Sequence, residues 1–178
     1  MTVDEYLAWA SANGLEGRFE LVDGRVVEMA AERAIHGLTK LRVAMALTQA
    51  VEAAGRNLTV LPDSVLVPVA SMTGRVPDAL VVEGRVADDT LKVTAPLIVV
   101  EVLSPGSIKV DRETKLAEYA GVASIVHYLI VDAGARQITH HRRGDAGNFA
   151  AATTSSGALD LTPPGITIAV ADMLPPDA

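Results

Sequence analysis

Three polar residues stand where the chain around them is apolar. Glu101 interrupts Pro96-Leu-Ile-Val-Val-Glu-Val-Leu103, otherwise a β-branched and aliphatic run of the kind that forms a strand buried on both faces. An ionised carboxylate there is costly unless it is paired, hydrogen-bonded or bound to a metal. Asp78, in Arg75-Val-Pro-Asp-Ala-Leu-Val-Val-Glu83, lies at the mouth of a second apolar strand, and Lys115 lies on the helical stretch that follows Glu101. Two carboxylates from adjacent strands suit a hard cation such as Mg²⁺ or Mn²⁺, which takes oxygen ligands and keeps some of its waters. Such an ion lowers the pKa of a water and offsets charge on a phosphoryl oxygen, while a lysine can orient the nucleophile or add positive charge. The same residues admit a plainer reading, a core acid paired with Lys115 and an Asp78 that only stabilises the turn after Pro77.

The elements that must position these groups follow from local chemistry. Thr2-Val-Asp-Glu5 is a capping box, and the helix it starts runs to about Asn13-Gly14. Arg18 to Met29 alternates on either side of Asp23-Gly24, a strong hairpin signal. A long helix is expected from about Glu32 to Ala54, with Leu38, Leu41, Met45 and Thr48 at helical spacing and Gly55 as its stop. Asn57 to Val69 reads as two strands around Pro62-Asp63, followed by strands at about 79–82 and 97–103. Ser104-Pro-Gly-Ser107 breaks the last of these and leads, with Ser107 as N-cap, into a helix from about Ile108 to Ala120. Strands at 125–131 and 136–142 complete the pattern.

Strand, helix, strand over this span predicts a right-handed βαβ crossover with strands 97–103 and 125–131 parallel. Alternation places Leu97, Val99, Glu101 and Leu103 on one face of their strand. Asp111, Lys115 and Tyr119, at i, i+4 and i+8, form one polar stripe of the helix. The expected architecture is α/β, a mixed sheet flanked by helices. The 178 residues form a single domain: an N-terminal helix and hairpin (about 3–30), a core (about 32–142) and a loop-rich tail (about 143–178) with one strand at Ile166 to Val170.

Composition excludes several classes. No apolar run is long enough to span a bilayer, and the acidic start Met-Thr-Val-Asp-Glu-Tyr6 does not read as a signal peptide. Without cysteine there are neither disulfides nor thiolate metal sites. A soluble cytoplasmic protein is the expectation. The net charge of −7 works against general attraction to nucleic acid, leaving only local patches such as Arg142-Arg143 or Lys109, Arg112 and Lys115. Few aromatics argue against recognition of single strands by stacking. His140 and His141, adjacent in a strand, point to opposite faces and cannot share a zinc ion. Ser104-Pro-Gly-Ser107 lacks the pattern of a phosphate loop, and no GxSxG elbow supports a serine hydrolase.

Taken together, several stretches in order resemble the Uma-two family of endonucleases, within the restriction-endonuclease-like PD-(D/E)XK superfamily. They are Arg18-Phe-Glu-Leu-Val-Asp-Gly24, His36, Arg75-Val-Pro-Asp78, Leu97-Ile-Val-Val-Glu-Val-Leu-Ser-Pro105, the Asp111, Lys115, Tyr119 stripe, Gly121-Val122 and Tyr128-Leu-Ile-Val-Asp132. The resemblance runs from about Tyr6 to Arg142. It implies a restriction-endonuclease-like core that hydrolyses phosphodiester bonds of DNA with Mg²⁺ or Mn²⁺, acting as a homodimer. Asp78 would be the acid of the PD motif, Glu101 the acid of the (D/E)XK motif, the Val102 carbonyl a third metal ligand and Glu20 an additional one. His36 and Tyr119 are further candidates. Two departures stand out: the lysine position two after Glu101 holds Leu103, so Lys115 takes that role if its helix points it inward, and Leu129 stands where relatives often carry tryptophan. The rival expectation is a catalytically silent homodimeric scaffold that keeps the fold.

Overall fold

The structure is a computed structural model that describes residues 1–14, 18–104, 108 and 110–176. Helix α1 (Val3–Ala12) begins at the expected capping box, with Thr2 and Glu5 bonding reciprocally to each other's backbone amides. Strands β1 (Phe19–Val22) and β2 (Arg25–Glu28) form the hairpin, and Asp23 and Gly24 both take the positive φ that its tight turn requires. After helix α2 (Ala34–Ala54) come β3 (Leu58–Pro62), β4 (Val67–Ala70), β5 (Thr73–Arg75), β6 (Ala79–Glu83) and β7 (Pro96–Val102). A π-helical turn (Val110–Thr114) runs into α3 (Lys115–Ala120), followed by β8 (His127–Asp132) and β9 (Gln137–Arg143). Ser107 and Lys109 lie outside the described residues.

The central sheet has six strands in the order β10 (Phe149–Thr154)-β9-β8-β7-β6-β3, and β7 and β8 are its parallel pair, as the crossover predicts. The other pairings are antiparallel, so the sheet is mixed. A smaller sheet, β2-β1-β5-β4, carries the hairpin against the central one, with α1 packing its Val3 and Tyr6 on Leu21 and Leu66. The strand β5 was not expected.

The chain after Arg143 is a correction to the loop-rich tail. It holds β10 (Phe149–Thr154), which joins the central sheet, then a hairpin of β11 (Ala158–Leu161) and β12 (Ile166–Ala169), and a short α4 (Val170–Met173). Leu159, Leu161, Ile166 and Ile168 cover the α2 side of the core. β12 is the strand expected at Ile166 to Val170, whereas β10 and β11 escape sequence reading because β10 is mostly alanine and threonine and β11 is four residues long.

From Ile98 to Val102 the two faces of β7 sort as alternation requires, but Leu97, expected on the face of Glu101, packs against the α2 side of the core. Ile98, Val100 and Val102 pack with Val43, Leu47 and Val51 of α2, while Val99 packs with Tyr119, Tyr128 and Ile130 on the other side. The stripe picked out on α2 lies outward: Leu38, Leu41 and Met45, with Ile35, are 48–58 % exposed. The buried face instead carries His36, Thr39, Lys40, Val43, Ala46, Leu47 and Val51. Among the described residues no helix is long and apolar enough to cross a membrane.

Candidate active site

Strand register brings the two acids together. Ala79 pairs with Val100 in the antiparallel β6–β7 ladder, so Asp78, one step before β6, stands opposite Glu101. The Val102 amide donates to Asp78 Oδ2 at 2.6 Å, which fixes that carboxylate at the strand mouth. Asp78 is 4 % and Glu101 3 % exposed. Both line a cleft of about 590 Å³ at the sheet edge, together with Glu20, His36, Asp111 and Lys115.

The stripe on the following helix points inward. Lys115 Nζ lies 2.9 Å from Glu101 Oε1, 3.3 Å from Asp111 Oδ1 and 3.6 Å from Glu20 Oε1. The Tyr119 hydroxyl donates to the same Glu101 oxygen at 2.8 Å, and its ring packs on Tyr128. Asp111 sits in the π-helical turn, a wide turn that recurs at functional sites. Its Oδ1 is buried without a hydrogen-bond partner, and its backbone carbonyl accepts from Tyr128. Glu20 is held differently, by Arg75 at 2.8 Å on Oε2 and by the Val76 amide at 3.2 Å on Oε1. Arg75, buried, also grips Glu118 of α3 through two nitrogens at 2.7 and 2.8 Å, tying the hairpin sheet to the helix that carries Lys115.

Helix α2 closes the other side. His36 places Nδ1 2.8 Å from Glu32 Oε2, and Nε2 2.5 Å from the Val102 carbonyl oxygen and 3.9 Å from Asp78 Oδ2. Lys40 Nζ lies 2.6 Å from Asp78 Oδ1, 2.7 Å from Glu32 Oε1 and 3.0 Å from Asp63 Oδ2. Carboxylate oxygens of Glu32, Asp63 and Asp78 fall within 4.8 Å of one another. Glu32, Lys40, Asp63, Arg75 and Glu118 were not singled out from sequence. One signal was available for the first two: Glu32, His36 and Lys40 repeat the i, i+4, i+8 spacing of Asp111, Lys115 and Tyr119. His140 and His141 diverge as expected, His140 bonding His127 while His141 stacks on Tyr128 across the sheet.

The electrostatics follow from burial and sign. Burial pushes Glu101 up, against the pull of Lys115, and the charges of Asp78 and Asp111 add to the rise. Burial raises Asp78 as well, against the pull of Lys40 and the Val102 amide. Burial alone would lower Lys115, but Glu101, Glu20 and Asp111 together hold it protonated, above the ordinary lysine range. Lys40 is held protonated against burial in the same way, chiefly by Asp78. Glu32 is drawn down to about 2: burial opposes this, but bonds from Lys40, His36 and Arg18 prevail.

These residues fit a divalent cation. Among the described residues, six carboxylates line the cleft (Glu20, Glu28, Glu32, Asp78, Glu101 and Asp111) against only Arg33 and Lys115 as permanent cations. Two of the acids are raised by burial, and a buried carboxylate oxygen of a third, Asp111 Oδ1, has no hydrogen bond and only the Lys115 ammonium at 3.3 Å. Lys40, Arg75 and Arg18 bond Asp78, Glu20 and Glu32 from behind the cleft, so the fit lies in the oxygen donors themselves, which are what a hard cation requires.

A mixed α/β domain with paired acids at the edge of its central sheet defines the class. The Uma2 family, described as "Putative restriction endonuclease", matches residues 3–171, and the chain belongs to that family. Among solved structures, the chain is similar to a "putative nuclease belonging to DUF820" from Anabaena variabilis ATCC 29413. The TM-score is 0.71 at 13 % identity, covering 97 % of each chain, so what is shared is the fold. Among curated proteins, none matches.

Proposed function

We propose that the protein is an endonuclease that hydrolyses phosphodiester bonds of DNA with Mg²⁺ or Mn²⁺. The observation that carries this reading is Asp78 opposite Glu101 on adjacent strands with the Lys115 ammonium 2.9 Å from Glu101. Asp78, Glu101 and the Val102 carbonyl would hold the cation, with Glu20 on the same wall as a fourth oxygen donor. A cation bound there lowers the pKa of a water and offsets charge on the phosphoryl group. Lys115, kept protonated by its three carboxylates, orients the attacking water and meets the charge that develops at phosphorus. Tyr119 fixes the Glu101 carboxylate by its hydroxyl, and the Arg75 bonds to Glu20 and Glu118 fix the approach of α3. His36 holds the Val102 carbonyl in place. The family description and the name of the structural neighbour both support a nuclease.

The functional unit proposed is a homodimer, a second copy covering the apolar outer face of α2, and its compartment the cytoplasm. The silent scaffold is the second reading. Lys40 on Asp78 Oδ1 and the net charge of −7 favour it. Supercoiled plasmid with Mn²⁺ decides between them. Nicking by wild type, abolished by chelator and absent from Asp78→Ala and Glu101→Ala purified identically, is the expected result. Equal nicking by all three, or none, leaves the scaffold.

A further inference from the structure

Helix α2 repeats, from its own side of the sheet edge, what α3 does for Glu101. There Lys115 serves Glu101; here Lys40 serves Asp78. Lys40 is only 8 % exposed, on a helix face otherwise made of residues such as Val43, Ala46, Leu47 and Val51. An ammonium belongs there only because Asp78, Glu32 and Asp63 converge on it. The Val102 amide holds the other Asp78 oxygen, and His36 Nε2 covers the Val102 carbonyl. Both oxygens that a cation would need beside Glu101 are therefore already held from α2.

We propose that Lys40 is a positioning residue whose ammonium occupies the place on Asp78 Oδ1 that a divalent cation takes, and so sets the affinity of the site for that cation. The inference rests on the reading of Asp78 and Glu101 as a metal site. A cation arriving at Asp78 displaces the ammonium without expelling it, because Glu32 and Asp63 supply two of its three contacts and remain as its berth. Asp63 is itself tied to Arg18 at 2.6 Å and Glu32 to Arg18 at 2.8 Å, which anchors that berth on the hairpin sheet. The resting protein thus keeps its buried acids neutralised while the cation is absent. A lysine that served only the fold would change stability when removed and leave metal affinity alone.

The test is Mn²⁺ affinity of the purified full chain without nucleic acid, read by electron paramagnetic resonance of free Mn²⁺, with thermal unfolding recorded for every variant. Lys40→Met and Lys40→Gln remove the competing charge and are expected to bind Mn²⁺ about ten-fold more tightly or better. Lys40→Arg keeps the charge and should bind as wild type does. Asp63→Asn removes part of the berth and leaves Lys40 more firmly on Asp78, so it should bind more weakly. Glu28→Gln, which removes an equal charge from the exposed rim, should weaken binding less. Where the Lys40 variants fail to fold, the comparison of Asp63→Asn with Glu28→Gln decides, and equal effects of the two would overturn the inference. Mn²⁺ binding by wild type with no gain in folded Lys40→Met or Lys40→Gln overturns the inference alone. Absence of Mn²⁺ binding in wild type and all variants overturns the metal site and the inference with it.

Discussion

Glu101 is a residue the fold would be better without. Burial first, then the charges of Asp78 and Asp111, push its carboxyl up to about 8 from the ordinary value of 4.5. Between those values the unfolded chain has lost a proton that the folded chain retains, so stability present at low pH is lost as pH rises towards 8. Glu101→Gln keeps the shape and can still accept from Tyr119, but it never ionises. It should therefore be more stable than wild type, by about 1–3 kcal/mol at pH 8 and by little at pH 5, while plasmid nicking falls on the order of a hundred-fold. Thermal unfolding at the two pH values beside a nicking assay checks both halves. A variant less stable than wild type at pH 8 would mean that the ion pair with Lys115 outweighs the burial, and that the acid serves the fold. Lys115→Met should do the opposite. It strands Glu101 and Asp111 without their shared counter-ion, Glu20 keeping Arg75, so it is expected to lose about 3–5 kcal/mol of stability as well as activity.

At the scale of elements, α2 separates two jobs on its two faces. Its inner face brings His36 and Lys40 to the acids, and its outer face exposes Ile35, Leu38, Leu41 and Met45 by about half. A second copy on that face predicts that Leu38→Glu/Met45→Glu turns a dimer into a monomer with its unfolding temperature little changed, as sedimentation equilibrium would show. A wild-type monomer would remove the dimer from the account. Elsewhere, β8 and β9 bury His127 against His140, with His127 Nε2 donating to the Pro163 carbonyl. Burial, then the neighbouring His127 and Arg142, hold His140 down to about 4, against 6.5 when unfolded. The unfolded chain takes up that proton first, so stability present above about 6.5 is lost as pH falls towards 4. Urea midpoints for wild type should drop over this range, and His140→Gln should flatten the drop.

The elements whose signals are local were legible in sequence: the capping box, the Asp23-Gly24 turn, the crossover and the alternation of β7. The inner face of α2 was not, because Leu38, Leu41 and Met45 outscore His36 and Lys40 on apolarity. Val43, Ala46, Leu47 and Val51 bury that face, and only the acids across the fold explain why His36 and Lys40 turn inward with them. Arg75 was unreadable for the same reason, its partners Glu20 and Glu118 lying 55 and 43 residues away.

At the scale of the whole molecule, the charge decides how nucleic acid could be met at all. A protein of net charge −7, whose cleft holds six carboxylates among its described residues, repels a polyanion until cations enter. Most DNA-binding proteins draw their affinity from lysine and arginine that displace counter-ions from phosphates, which gives a steep loss of affinity with salt. On the proposed function, the attraction comes largely through the divalent cation, a contact local to the scissile phosphate. Binding should therefore depend strongly on the metal and weakly on monovalent salt. With Ca²⁺ in place of Mg²⁺ to hold back cleavage, fluorescence anisotropy of a labelled duplex should show affinity at least about ten-fold higher than in chelator. Between 50 and 200 mM salt it should lose well under the roughly thousand-fold expected of a protein neutralising many phosphates. Asp78→Asn should abolish the gain from Ca²⁺ and leave the weak binding in chelator as it was. Equal affinity with and without Ca²⁺, combined with a steep salt slope, would instead place the DNA on a basic surface away from the cleft, where Arg142 and Arg143 would be the first residues to replace.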